Sequence, residues 1–207
     1  VTGRVEMARS KMVALMAIFG AMALLFTQVW IPLFFGNPNL GSTPITVAAV
    51  LCPMPVGIAA GIIKGLGASL WTGQPYIEIP AGIGDAMMAI FTRFLVRRWR
   101  KRVYAAVVGQ LSRYLFTSGM IALYIGLAVS LGSSGPEAIA FQSLRRRYPL
   151  AGGPPYSPSP FIANFIIVWV GIFPAVTLSI LANALISTMI ISLAGERIEG
   201  LLKVGKV

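Results

Sequence analysis

The sequence predicts an all-α integral membrane protein: a six-transmembrane-helix bundle with both ends in the cytoplasm, a short second helix and a long outer loop before helix 6. Three observations lead there. Of the 207 residues, 57% are hydrophobic and only 11% charged, whereas a soluble domain carries nearer a quarter charged residues. The apolar stretches run well past the roughly 10 residues of a barrel strand, and a helix needs about 20 to cross a hydrocarbon core. The third is the run Arg97-Arg98-Trp99-Arg100-Lys101-Arg102 between two such stretches. Short loops rich in Lys and Arg stay on the cytoplasmic side, so this run orients every other segment.

Helix 1 spans about 12–34, leaving the cytoplasm and ending at the turn-rich Gly36-Asn37-Pro38-Asn39-Leu40-Gly41-Ser42. Its basic start and the run Ala21-Met22-Ala23 imitate a signal peptide. A signal core has about 7 to 15 residues, so this longer run reads as an uncleaved helix. Two prolines in Cys52-Pro53-Met54-Pro55 interrupt the next stretch and divide it into helices at 44–52 and 56–71. At 1.5 Å per residue the first is only about 14 Å long, too short to cross a ~30 Å core unaided. After an outer loop at 72–79, helix 4 runs inward over 80–95, with Pro80 suited to its first turn. Helix 5 returns over 103–131. The Pro- and Gly-rich segment 132–160 reads as an outer loop, with a short helix at 137–145. Helix 6, at 161–193, exceeds what a bilayer needs and should tilt or bend at Pro174. The chain forms a single transmembrane domain.

The formal charge of +11 would suggest nucleic acid in a soluble protein. With the Arg97 loop inside, however, most of the 17 basic residues fall in cytoplasmic segments, which the positive-inside rule explains without nucleic acid. Arg145-Arg146-Arg147 departs from the rule and reads as a solvated or headgroup-facing run, or as an attractor of anionic substrates. Cys52 is the single cysteine, which excludes an intramolecular disulfide. With no His, no phosphate-binding loop and no His/Cys ligand cluster, soluble-enzyme chemistry, a metal site and a cofactor are not expected. An ATP-driven function would need a separate ATPase chain.

Several residues carry candidate function. Ala14, Ala17 and Ala21 follow a 3,4 spacing that places three small side chains on one face of helix 1. That face either packs within the protein or docks another membrane subunit. Lys64 and Asp85 lie within the predicted bilayer, where an unpaired charge costs several kcal/mol. By helical rise their depths match, at roughly 10 Å and 8 Å below the outer ends of their helices. They form a structural ion pair, line a polar ligand cavity, or do both. Arg113, placed in the inner third of helix 5, is expected to snorkel to the cytoplasmic interface. Asn37, Asn39, Trp71, Gln74, Tyr76, Glu78, Tyr124, Asn164 and Trp169 converge toward the outer face. For the aromatics an interfacial belt is the plainer reading.

The basic start, the alanine face, the loop Gly36 to Ser42, the short second helix and the turn Pro53-Met54-Pro55-Val56-Gly57 leading to Gly61-Ile62-Ile63-Lys64 together resemble a known family. It is that of the substrate-binding S-components of energy-coupling factor (ECF) vitamin transporters. The turn and the basic third helix are similar to a Gly-Pro-x-x-Gly turn and helix in riboflavin-type members, with Cys52-Pro53 standing where members often have Gly-Pro. The resemblance implies capture of a vitamin or related small molecule from outside, in a cavity built from the first outer loop and the outer halves of helices 4 to 6. It implies that Ala14, Ala17 and Ala21 contact a T-component coupled to ATPase subunits in the plasma membrane. It also implies that the S-component topples to release substrate inward. Asn37, Asn39, Glu78, Asp85, Tyr124, Asn164 and Trp169 are then the cavity candidates, with Lys64 beside Asp85. The absence of His disfavours metal transport. Two other readings remain open: a structural or assembly subunit of a larger membrane complex, and an ion-coupled carrier using Lys64 and Asp85.

Overall fold

The computed structural model describes residues 9–29, 39–147 and 161–203, and its elements are helical throughout. In chain order they are α1 (Arg9–Thr27), α2 (Ser42–Leu51), α3 (Met54–Thr72), α4 (Pro75–Trp99), α5 (Arg102–Leu111), α6 (Phe116–Ser130), α7 (Pro136–Arg147), α8 (Phe161–Gly171) and α9 (Phe173–Lys203). A 3-10 turn, Ser112–Tyr114, joins α5 to α6. Among the described residues, five helical spans are long and apolar enough to cross a membrane: α1, α3, α4, α5 with α6, and α9. This is a multi-pass membrane architecture, with α2 and α8 as shorter apolar pieces.

Several expected boundaries change, among them the helices expected to end at 95 and 193, which run on to Trp99 and Lys203 because nothing in their last turns breaks the helix. The helix expected over 12–34 ends at Thr27, whose hydroxyl turns back to the Ala23 and Leu24 carbonyls. The loop expected at 72–79 reduces to Gly73 and Gln74. Gly73 closes α3 at a φ of 66°, where a side chain would be strained, and Pro75 rather than Pro80 occupies the first turn of α4. Pro80 removes only one hydrogen bond early in the helix and does not break it. The helix expected over 103–131 is interrupted at Ser112–Tyr114, and that expected over 161–193 divides at Ile172, two residues before Pro174. The short helix expected at 137–145 forms as α7.

Two apolar cores are stacked along the bundle. Near the end bearing the basic loop, Phe19, Ala23, Val50, Leu51, Val56 and Met88 are buried, flanked by Met12, Val96 and Ile198. Met12 near the start of α1, Val96 near the end of α4 and Ile198 near the end of α9 each pack against this core. The second core joins Ala81, Ile121, Ala122 and Ile125 to Phe141 of α7 and Val168 of α8. Here α7 lies across the outer end of α6 and α8 and inserts Phe141 between them.

The central element is α2. All ten of its residues are buried, and it spans only about half a bilayer. Arg93 of α4 donates to the Val50 carbonyl at its inner end, where a cation suits the helix dipole. Gly73 apart, the glycines that matter most lie where α3 crosses α4. A Cβ on Gly65 would fall 2.8 Å from Gly82 Cα and 2.9 Å from the Glu78 carbonyl oxygen, and one on Gly61 2.7 Å from Ala86 N. These are backbone contacts that cannot rotate away.

Gly65→Val should therefore force α3 from α4 and lower the thermal unfolding midpoint in detergent, at a cost of roughly 1–3 kcal/mol. Gly119→Ala, which meets nothing within 4 Å, should leave it unchanged. Equal midpoints for the two variants would contradict the close crossing.

Candidate functional site

A polar layer separates the two cores, and Asp85 is its centre. Asp85 lies ten residues into α4, about 15 Å from its outer end by helical rise, close to the middle of a ~30 Å core. Its side chain has no exposed surface and accepts four hydrogen bonds. Lys64 Nζ of α3 approaches Oδ2 at 2.5 Å, joined there by Ser42 Oγ of α2 at 2.9 Å. Arg113 Nε reaches Oδ1 at 3.1 Å, and Thr117 Oγ1 of α6 donates to the same oxygen at 2.8 Å. One carboxylate thus fastens α2, α3, α4, the 3-10 turn and α6 together. Such a cluster is tolerable in a bilayer because both cations pair with the one carboxylate, and Asp85 and Arg113 make further hydrogen bonds to hydroxyls.

Arg113 does not snorkel. It lies eleven residues beyond Arg102, about 17 Å along the helix, which is nearer the midplane than the inner third. It also continues the buried stripe Ala106, Gln110, Arg113, Thr117 and Ile121, so its side chain faces Asp85. Its Nη1 also donates to Ser179 Oγ of α9 at 3.1 Å.

Asn39, in the described end of the segment before α2, joins the layer. The Asn39 carbonyl accepts from Ser179 Oγ at 3.1 Å and from Asn183 Nδ2 at 2.8 Å. The Asn39 side chain holds its own turn by accepting from Gly41 N. Below, Thr43 Oγ1 donates to Asn183 Oδ1 at 2.8 Å, and Gln110 Nε2 donates to Thr46 Oγ1 at 2.5 Å and to the Ser42 carbonyl at 3.3 Å. Every hydroxyl of α2 is thereby used to fix it between α4, α5 and α9.

The other candidates occupy different places. Asn37 lies outside the described residues. Glu78 is half-buried two helical turns above Asp85 on α4. Tyr124 is exposed on α6 and its hydroxyl donates to Glu137 of α7 at 3.3 Å. It lines a groove of about 280 Å³ between α4 and α6 with Pro75, Ile79, Ile83, Met120 and Leu127, which is apolar. Asn164 is buried on α8 and donates to Ser130 Oγ at 3.0 Å. Trp169 donates from Nε1 to the Tyr114 carbonyl at 2.7 Å, an acceptor at the 3-10 interruption, and stacks in a file with Phe165 and Phe173. The structure thus joins Asn39, Lys64 and Asp85 in one layer and sets Tyr124, Asn164 and Trp169 above it.

Ser42, Thr117, Ser179 and Asn183 were not among the expected site residues. Their signal was spacing: Ser179, Asn183 and Ser187 recur every fourth residue, and Gln110, Arg113 and Thr117 follow a 3,4 step. Ala14, Ala17 and Ala21 are all exposed, while Phe19, Gly20 and Ala23 turn inward, so among the described residues the alanine face is not covered. Among the described residues no group of His, Cys, Asp and Glu could hold a metal ion.

No family model and no curated protein sequence matches the chain. Its fold is similar to that of a solved structure described as the S component of a bacterial ECF transporter, with a TM-score of 0.55. The likeness covers 95% of this chain and 99% of that chain at 14% identity, and it is a likeness of fold.

Asp85→Leu leaves two buried cations without their carboxylate and should cost roughly 3–5 kcal/mol, seen as loss of monodisperse protein in size-exclusion chromatography. Arg113→Gln, which leaves the Lys64–Asp85 pair intact, should remain monodisperse. Equal behaviour of the two would remove Asp85 from the centre of the layer.

Proposed function

We propose that the chain is the substrate-binding S component of an ATP-driven ECF-type importer in the plasma membrane. In this reading it captures a vitamin or related small molecule from outside and delivers it inward with a T-component and ATPase subunits, without catalysis of its own. The observation that carries the reading is the end-to-end correspondence of fold with an ECF S component, over 95% of one chain and 99% of the other.

Two features support it. Asn39, at the described end of the segment before α2, bonds to a buried layer of charged and hydroxyl side chains, with Asn164 and Trp169 nearby. A small polar ligand entering from outside would meet hydrogen-bonding groups there and apolar walls around them. The second is the outward face of α1, where Ala14, Ala17 and Ala21 present small side chains not covered among the described residues. In lipid, helices associate through close van der Waals contact, which such a face permits. Asn37, Asn39, Lys64, Glu78, Asp85, Tyr124, Asn164 and Trp169 remain the proposed ligand residues in this reading, with Ser179 and Arg113 added by position.

Native mass spectrometry of the gently purified protein should detect a bound small molecule together with a T-component and ATPases. Ala17→Trp with Ala21→Trp should abolish that association, by at least tenfold, in a protein that still folds and retains the small molecule. Recovery of the chain, empty, in an unrelated membrane complex would favour an assembly subunit instead.

A further inference from the structure

The buried layer holds more positive charge than it answers internally. Lys64 and Arg113 both point at Asp85, and the remaining partners, Ser42, Thr117 and Ser179, are neutral hydroxyls. What access exists lies on the cations. The Asp85 side chain is 0% exposed, whereas that of Arg113 retains 6% and that of Lys64 3%. Arg113 gives Nε to Asp85 and Nη1 to Ser179, and among the described residues its Nη2 donates to nothing.

The next acid, Glu78, is within electrostatic reach of Lys64 but makes no ion pair with either cation among the described residues. It lies about 10 Å along α4 from Asp85. The amino end of α2 adds to the imbalance. Ser42 opens this ten-residue helix beside Asp85, and no side chain caps it, so the positive end of its dipole points at the same place. Excess positive charge near the middle of a bilayer is costly until an anion answers it.

We propose that Lys64 and Arg113 form an anion anchor: the captured ligand is a water-soluble small molecule bearing a carboxylate, which docks on Arg113 Nη2 and the Lys64 ammonium beside Asn39 and Gly41. The anchor rests on the S-component reading and narrows it to a substrate class. Two properties make Arg113 suited to the role. A guanidinium remains charged when buried, and it can hold Asp85 on one edge while offering further N–H groups to a second carboxylate. An uncharged ligand would leave the imbalance in place, and a cationic one would enlarge it.

The test uses the full chain in phosphatidylcholine nanodiscs, whose lipids carry no net charge and supply no anionic headgroup. Matched probes are titrated by thermal shift and calorimetry: biotin against biotin amide, pantothenate against pantothenol, nicotinate against nicotinamide, with riboflavin and thiamine as neutral and cationic controls. Any co-purifying molecule is identified by mass spectrometry. We expect one acid, or a co-purifying carboxylate, to bind at least tenfold more tightly than its neutral counterpart. Lys64→Gln and Arg113→Gln each leave one balanced pair with Asp85, so both should fold, and each should bring the acid-to-neutral ratio close to one.

Equal binding of acid and neutral forms, selection of riboflavin or thiamine, or discrimination that survives both substitutions would overturn the anchor and leave the S-component reading standing. A folded protein that binds no probe and carries no small molecule would overturn the S-component reading, and the anchor with it.

Discussion

Asp85 sets the conditions under which this bundle can exist. A carboxylate without exposed surface, near the middle of the hydrocarbon, is tolerable only with its lone pairs and charge answered. The answers come from four other segments of the chain: Ser42, Lys64, Arg113 and Thr117. Apolar packing in lipid specifies register weakly, because a Leu side chain gains little by leaving lipid for protein. Directional bonds to one carboxylate have no such tolerance. A one-residue rotation of α3 or α6 would carry its donor about 100° around the helix and leave a charge or hydroxyl facing acyl chains. The two apolar cores on either side can therefore be built from interchangeable aliphatic residues, with the polar layer holding their alignment.

The same layer explains a short helix that hydrophobicity alone does not. A ten-residue α2 cannot span a bilayer, and its amino end begins in the middle of one, where Thr43 N donates to the Leu40 carbonyl, Gly41 N donates to Asn39 Oδ1 and Pro44 carries no N–H. It is admissible because it is wholly enclosed, because its hydroxyls are engaged by Asp85, Asn183 and Gln110, and because Arg93 meets its carbonyl end. Irregular backbone at membrane depth is confined to such sheltered positions. The interruption between α5 and α6 obeys the same rule: the Tyr114 carbonyl accepts from Trp169, and the Tyr114 hydroxyl donates to Thr177. The break between α8 and α9 lies beside it, with Phe173 packed on the Tyr114 ring. The two interruptions shelter each other.

What could be read from the sequence follows from how local its causes are. The apolar runs, the basic loop and the prolines at 53 and 55 act within a few residues of themselves, and they located the helices and the short second element. Lys64 and Asp85 were legible as partners because opposite charges in apolar surroundings have few alternatives. Arg113 was misplaced because a snorkelling arginine and an ion-paired one look alike until depth is measured from the correct helix end, although the stripe from Ala106 to Ile121 contained the answer. Thr117, Ser179 and Asn183 carried only the ambiguous signal of their spacing, and Ser42 none, for another reason. Ser and Thr in apolar helices often bond back to their own backbone, as Thr92 does to the Met88 carbonyl. Only tertiary structure distinguishes those that reach across. The 3-10 interruption has no proline or glycine within it to announce it, since its cause is the neighbouring helix.

The outward alanine face and the buried layer lie on opposite sides of α1. That helix is peripheral: only 17% of its apolar window is buried, against 56% for α4. A partner could therefore grip Ala14, Ala17 and Ala21 without competing with internal packing. Its inward side, however, touches the layer through a contact with no slack. A Cβ at Gly41 would lie 3.0 Å from the Ala23 carbonyl oxygen of α1 and 2.9 Å from Lys64 Cε, so glycine is what lets the end of the outer loop pass between them. Gly20 is similarly pressed against Ile63, next to Lys64. Packed interiors transmit displacement instead of absorbing it. Gly41 and Ile63 thus set α1 directly against the segments that carry Lys64, the charge that faces Asp85, so the register of this peripheral helix is fixed by the same close packing that borders the polar layer.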